Sequence, residues 1–321
     1  MIPLLLLLLL NNITLIASTV TITNSTSGRV SGSVELFESE SDRAANCPTC
    51  PSHVTTYLDE SPLTTANRVC SLLPPTVGGE DGGGCLTSLT KIISENQLAL
   101  FIELGMKLDL HLKSSGVDMP SVEGKSFTYL EKIKLMQKLV HHPQVETICE
   151  VGFNAGHGTL LWLASGAKKV LSFELGQYTY STKAISFLSE LYPNKFQVIM
   201  GDSLKTVPSF HDMFPEEKCN ILFVDGGHLY EHAYGDMGNF RSMRNESFHY
   251  LVIDDTNQEP VQKAWGDYRM QGLAKEEETV WSDYSEVLVW KEFQGRPIGV
   301  EVDGDSVVEN WRSSMSYGVY L

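Results

Sequence analysis

From Glu146 onward, short apolar runs alternate with amphipathic stretches, and no other feature narrows the folds open to this chain as much. Residues 147–152, 169–174, 196–200, 220–225 and 250–254 have the length and composition of buried strands. Helical patterns lie near 157–165, 178–192, 203–210, 229–243 and 258–270. This alternation predicts a parallel sheet covered by helices on both faces. With 279–282 and 286–291 as further strands, the expected fold is α/β: a Rossmann-like, doubly wound, seven-stranded, mostly parallel sheet. Ligands of such sheets lie outside the carboxyl ends of the strands, where strand order reverses. Residues with chemistry should then collect at those ends, and they do.

The first strand runs into Glu150-Val151-Gly152-Phe153-Asn154-Ala155-Gly156-His157-Gly158. Glycines let the backbone turn sharply and approach a ligand without a Cβ in the way. A dinucleotide site calls for Gly-x-Gly-x-x-Gly, whereas this loop reads Gly-x-x-x-Gly-x-Gly, with Glu150 just before it. An acid there repels pyrophosphate but suits a sulfonium, which favours S-adenosylmethionine over NAD. The second strand ends at Glu174, about 20 residues past Gly152, where an acid accepts from ribose hydroxyls. The third ends Gly201-Asp202-Ser203; Asp202 can reach an adenine amino group and Ser203 can cap the next helix.

These segments resemble the cofactor motifs of class I S-adenosylmethionine-dependent methyltransferases. Glu-Val-Gly-Phe-Asn-Ala-Gly-His is similar to a subgroup acting on small molecules, and the resemblance covers about residues 125–293. It implies Gly152, Asn154, Gly156 and His157 around the methionine moiety, Glu174 at the ribose, and Asp202 and Ser203 at adenine.

The fourth strand ends Asp225-Gly226-Gly227-His228-Leu229-Tyr230-Glu231, and the fifth ends Asp254-Asp255-Thr256-Asn257. The family topology makes these strands neighbours, about 5 Å apart. Asp225, Asp254 and Asp255 would then converge, and clustered carboxylates either take up protons or share a cation. Oxygen-only ligands select a hard metal such as Mg²⁺. The segment is similar to metal-dependent O-methyltransferases of sugars and natural products, with a third aspartate where the catechol-type enzymes carry Asn. The expected chemistry is direct displacement at the sulfonium methyl by a hydroxyl of a small hydroxylated or glycosylated acceptor. The metal at Asp225 activates the hydroxyl and His228 takes its proton. Two other readings stand beside this one. A non-catalytic secreted binding protein could keep the fold, and His228-Leu229-Tyr230-Glu231-His232 matches the inverted zinc-hydrolase signature.

The N-terminal region has a different character. The leucine run 4–10, with no charge before Arg29, reads as a signal peptide or signal anchor over residues 1–22. That places the chain in the secretory pathway, with a membrane anchor confined to the N-terminus. Asn24-Ser25-Thr26 and Asn245-Glu246-Ser247 are glycosylation sequons. Residues 23–85 are polar, carry Cys47, Cys50, Cys70 and Cys85, and end in a glycine-rich linker. In an oxidising lumen these cysteines would form two disulfides of open connectivity. The methyltransferase domain with its leading helices then spans 86–293, and a tail of unreadable partner spans 294–321. Cys149 and Cys219 are about three residues out of register on neighbouring strands, which predicts buried thiols. The formal net charge of −16 argues against counterion release from phosphates, so the expected partners are a small acceptor, no nucleic acid, and at most a second copy of the chain.

Overall fold

The computed structural model of the chain describes residues 31–35, 53–70, 83–119, 122, 129–283 and 312–321. They divide into two compact units, Met1–Leu104 and Gly105–Leu321. The leader, Asn24, Cys47 and Cys50, the side chains of Cys70 and Cys85, and the expected strand 286–291 lie outside the described residues. No helix among the described residues is long and apolar enough to cross a membrane.

In the first unit, β1 (Ser31–Glu35) and β2 (His53–Tyr57) pair antiparallel, followed by α1 (Pro62–Cys70). The segment expected to lack a core buries Leu58 and Ala66 completely. Gln97, on α2 (Gly83–Ser114), donates from Nε2 to the carbonyls of Tyr57 and Glu60, each at 2.6 Å. That bond satisfies two carbonyls at the end of the ribbon, a task no apolar residue could perform.

In the second unit, α3 (Leu130–Val140) precedes the alternation. β3 (Thr147–Val151), β4 (Lys169–Glu174), β5 (Phe196–Met200), β6 (Ile221–Val224) and β7 (Tyr250–Ile253) are the parallel strands. Between and after them run α4 (His157–Ala164), α5 (Tyr180–Leu191), α6 (Ser203–Met213), α7 (Tyr230–Phe240) and α8 (Glu259–Met270). β8 (Ala274–Asp283) and β9 (Arg312–Tyr320) complete a seven-stranded sheet in the order β5-β4-β3-β6-β7-β9-β8. Order reverses between β3 and β6, so the crevice for a ligand lies over their carboxyl ends. Apolar residues on β3, β6 and β7 are almost entirely buried, as strands covered on both faces must be.

The tail supplies β9, which enters antiparallel between β7 and β8, with Ile253 opposite Ser316 and Val280 opposite Met315. In sequence the tail is open to adding a strand or covering the site, and the serine-rich pattern Arg312-Ser313-Ser314-Met315-Ser316 hides which strands it pairs with. Ser314 and Ser316 are buried because their hydroxyls bond with Thr256 at 2.8 and 3.2 Å. The thiol expectation is corrected as well: Cys149 and Cys219 form a disulfide, with Cα atoms 5.8 Å apart. Strand register does not extend to Cys219, which precedes β6 and bridges instead to Arg244.

Candidate active site

The glycine turn after β3 is forced by close packing. Gly152 has φ +100°, and a Cβ there would fall 2.0 Å from the Asp225 carbonyl oxygen. Gly156, at φ +82°, opens α4. Asn154, also left-handed at φ +49°, donates its backbone N–H to Glu174 Oε2 at 2.8 Å. Gly176 N–H donates to Glu174 Oε1 at 2.9 Å, and the Tyr180 hydroxyl donates to Asn154 Oδ1 at 2.6 Å. Glu174 is therefore a buried, fixed acceptor, and each carboxylate oxygen keeps a lone pair for a ribose hydroxyl.

Two expected cofactor contacts turn inward. Glu150 is fully buried beneath the loop; the Ser172 hydroxyl donates to Oε1 at 2.6 Å, and Thr159 donates to the same oxygen. Burial pushes its carboxyl up to about 7, opposed by donors from Ser172, Thr159 and Trp162. His157 is also buried, with Nε2 3.0 Å from Asp109 Oδ1 on α2. The two shape the loop from behind. Asp202, not Ser203, is the N-cap of α6; its Oδ1 accepts from Leu204 N–H at 3.1 Å. Lys205, 3.1 Å from Oδ2, and the cap bond hold the Asp202 carboxyl below its usual range. Buried Asp236, on α7, faces Gly226 with Oδ2 3.4 Å from where a Cβ would lie. Burial raises its carboxyl to about 6, opposed by the Ser203 hydroxyl and the charge of His232.

At the acceptor end, Asp225, His228 and Asp255 each offer a ligand atom, all within 4.8 Å of one another. Burial first, then the charges of Asp254 and Asp255, raise the Asp225 carboxyl well above the ordinary range. Asp255 sits at φ +52°, which aims its side chain back across the strand ends. Its Oδ2 lies 3.2 Å from His228 Nε2 and accepts from Gln258 Nε2 at 3.0 Å; its Oδ1 accepts from Ser313 at 2.7 Å. Burial alone would raise Asp255, but Lys132, Ser313 and His228 outweigh it and lower its pKa.

Asp254 departs from the expected metal triad. Its Oδ1 pairs with Lys132 Nζ at 2.5 Å, and Lys132 also reaches Asp255 Oδ1 at 3.2 Å. The sequence reading missed Lys132, which sits on α3 before the matched motifs and looks like a solvated position of an amphipathic helix. It missed Asp109 and Ser313 for a related reason: each belongs to an element distant in sequence from the motifs. Asp236 was missed on the very helix that the Asp225–Glu231 segment opens. The zinc-hydrolase pairing is not assembled, since His228 precedes α7 and the His232 ring lies against Gly227. Among the described residues, the metal-capable group contains neither Glu231 nor His232.

The strand order, the antiparallel β9 and the acid-bearing strand ends define the class I S-adenosylmethionine-dependent methyltransferase fold. Residues 149–256 match a family model described as a methyltransferase domain. Over 114 residues the chain is 31% identical to ribosomal RNA small subunit methyltransferase A of Rhizobium johnstonii, covering 35% of this chain and 39% of that protein. The same protein of Allorhizobium ampelinum is 32% identical over an equal span. The chain thus spans about two fifths of these relatives' length. The structure of an O-methyltransferase from Bacillus cereus in complex with SAH superposes with TM-score 0.49 at 12% identity, covering 68% of this chain and 90% of that one. TomG, an O-methyltransferase of Streptomyces achromogenes, gives 0.49 at 12% identity, covering 67% and 88%. Likenesses at this level say nothing of substrate. The expectation that nucleic acid is excluded does not hold, because the curated relatives matched are ribosomal RNA methyltransferases. Net charge summed over a chain does not describe the one face that meets a substrate.

Proposed function

We propose that the chain transfers the methyl group of S-adenosylmethionine to a hydroxyl of its acceptor. The observation that carries this is the shared edge of the sheet. Glu174, locked by the Asn154 and Gly176 N–H groups, ends β4, and the Asp225–His228–Asp255 cluster follows β6 and β7, so the two stand at the same carboxyl edge on either side of β3 and its glycine turn. Glu174 binds the ribose, Asp202 meets the adenine amino group, and the Gly152 turn lets the methionine moiety approach the backbone.

Asp255 Oδ2 faces His228 Nε2 and favours the tautomer with its proton there. The Nδ1 lone pair then takes the acceptor's proton, and Asp255 stabilises the imidazolium that results. The carboxylates of Asp225 and Asp255, with ligand oxygens within 4.8 Å of one another, fit a divalent cation such as Mg²⁺. Held by Asp225 and Asp255, the ion would lower the acceptor hydroxyl's pKa, and the His228 lone pair would stay available for the proton.

Incubation with labelled S-adenosylmethionine, small hydroxylated acceptors in one arm and ribosomal RNA in the other, tests the reading. Label on a hydroxyl supports it, and the arm that is labelled sets the acceptor class. Cofactor binding without transfer in either arm favours the non-catalytic reading. For the compartment, the buried Cys149–Cys219 disulfide and the Asn245 sequon support maturation in an oxidising lumen. A loss of mass on enzymatic deglycosylation of the secreted chain is the expected result; retention in the cytosol with free thiols contradicts it.

A further inference from the structure

Lys132 is only 3% exposed, yet it lies on α3, outside the matched domain. A buried ammonium is tolerated only where charge and hydrogen bonds compensate its lost hydration. Here the compensation is directed at one place. Nζ lies 2.5 Å from Asp254 Oδ1 and 3.2 Å from Asp255 Oδ1, with the Tyr129 ring centroid 4.9 Å away. Asp254 Oδ1 also accepts from the Asp255 backbone N–H at 2.8 Å. Both bonds fall on Asp254 Oδ1, and Asp254 offers no ligand atom to the Asp225–His228–Asp255 group, while Asp255 keeps Oδ2 turned toward His228.

We infer that Lys132 is the resident cation of the acceptor centre, and that it divides the carboxylates into two sets. Asp254 serves as its counter-ion. Asp225 and Asp255 remain to hold a divalent cation, beside His228. Lys132 acts as a positioning residue, withdrawing Asp254 from coordination. The inference rests on the methyl-transfer reading only for its biological use, since its test is metal binding itself.

Titration of the full chain with Mn²⁺, followed by the loss of the free-ion electron paramagnetic resonance signal, reads the ligand set directly. The wild type is expected to bind one equivalent. Asp225→Asn should weaken that binding at least a hundredfold, whereas Asp254→Asn should weaken it less than tenfold, because it removes a nearby charge but no ligand. Equal losses in the two variants would overturn the inference, and so would a wild-type chain that binds no Mn²⁺ at millimolar concentration. Lys132→Met removes a positive charge a few ångströms from the ion and releases Asp254, so binding should tighten at least tenfold. Unchanged or weaker binding in a Lys132→Met protein with the native circular dichroism spectrum would also overturn it. If that variant does not fold, the comparison of Asp225→Asn with Asp254→Asn still decides. Calorimetry with S-adenosylhomocysteine on the same samples separates failure here from failure of the methyl-transfer reading.

Discussion

Glu150 offers a quantitative test of how the cofactor loop is supported. The side chain is fully buried, and its carboxyl, ordinarily near 4.5, is held at about 7 by loss of hydration. The native state therefore binds the proton more tightly than the unfolded chain. Ionising Glu150 in the fold costs nothing below pH 4.5, costs progressively more up to about pH 7, and is constant above that. At 1.36 kcal/mol for each tenfold change in proton affinity, the full destabilisation is about 3 kcal/mol. Glu150→Gln retains an oxygen for the Ser172 and Thr159 hydroxyls but carries no charge at any pH. Urea unfolding of both proteins, followed by tryptophan fluorescence at several values from pH 5 to pH 8, isolates the effect. Groups common to both cancel in the difference. The stability of Glu150→Gln relative to wild type should rise by about 2.5 kcal/mol across that range. A flat difference, or one that falls with pH, would refute the claim that burial governs this carboxyl.

Gly152→Ala would set a Cβ 2.0 Å from the Asp225 carbonyl at φ +100°. It should cost more than about 3 kcal/mol and abolish S-adenosylhomocysteine binding, seen together in a thermal melt and a calorimetric titration. Asp109→Asn removes the charged partner of buried His157. A loss of about 1–2 kcal/mol in denaturant midpoint analysis, with cofactor affinity within threefold of wild type, is expected if His157 supports the loop from behind. Asp202→Ala deletes the α6 cap and, with it, the group proposed to meet adenine. Its stability should fall by about 1 kcal/mol and its cofactor Kd rise about tenfold, while turnover at saturating cofactor stays unchanged.

The five parallel strands were legible because each is a short apolar run ended by a glycine or an acid. That is the pattern of a strand buried on both faces with its functional end in solvent. Glu174, Asp202, Asp225, His228 and Asp255 were legible for the same reason: topology, not local environment, decides where strand ends meet. What escaped the sequence depends on contacts between distant segments. β9 consists mostly of small hydroxylated residues, and only its pairing with β7 and β8 explains their burial. Lys132 and Asp109 occupy helix positions that an amphipathic pattern assigns to solvent, yet both are buried, Lys132 against Asp254 and Asp109 against His157. Glu150 and His157 were expected to face a cofactor and are instead buried beneath the loop, since a motif fixes position and not side-chain direction.

The central claim, a methyl-donor site built on Glu174 and the Gly152 turn, is tested most directly by calorimetric titration of the full chain with S-adenosylhomocysteine. The account predicts one site of micromolar affinity, weakened at least tenfold by Glu174→Ala. A folded wild-type chain that shows no binding at millimolar ligand, or a Glu174→Ala protein that binds as tightly as wild type, would contradict it.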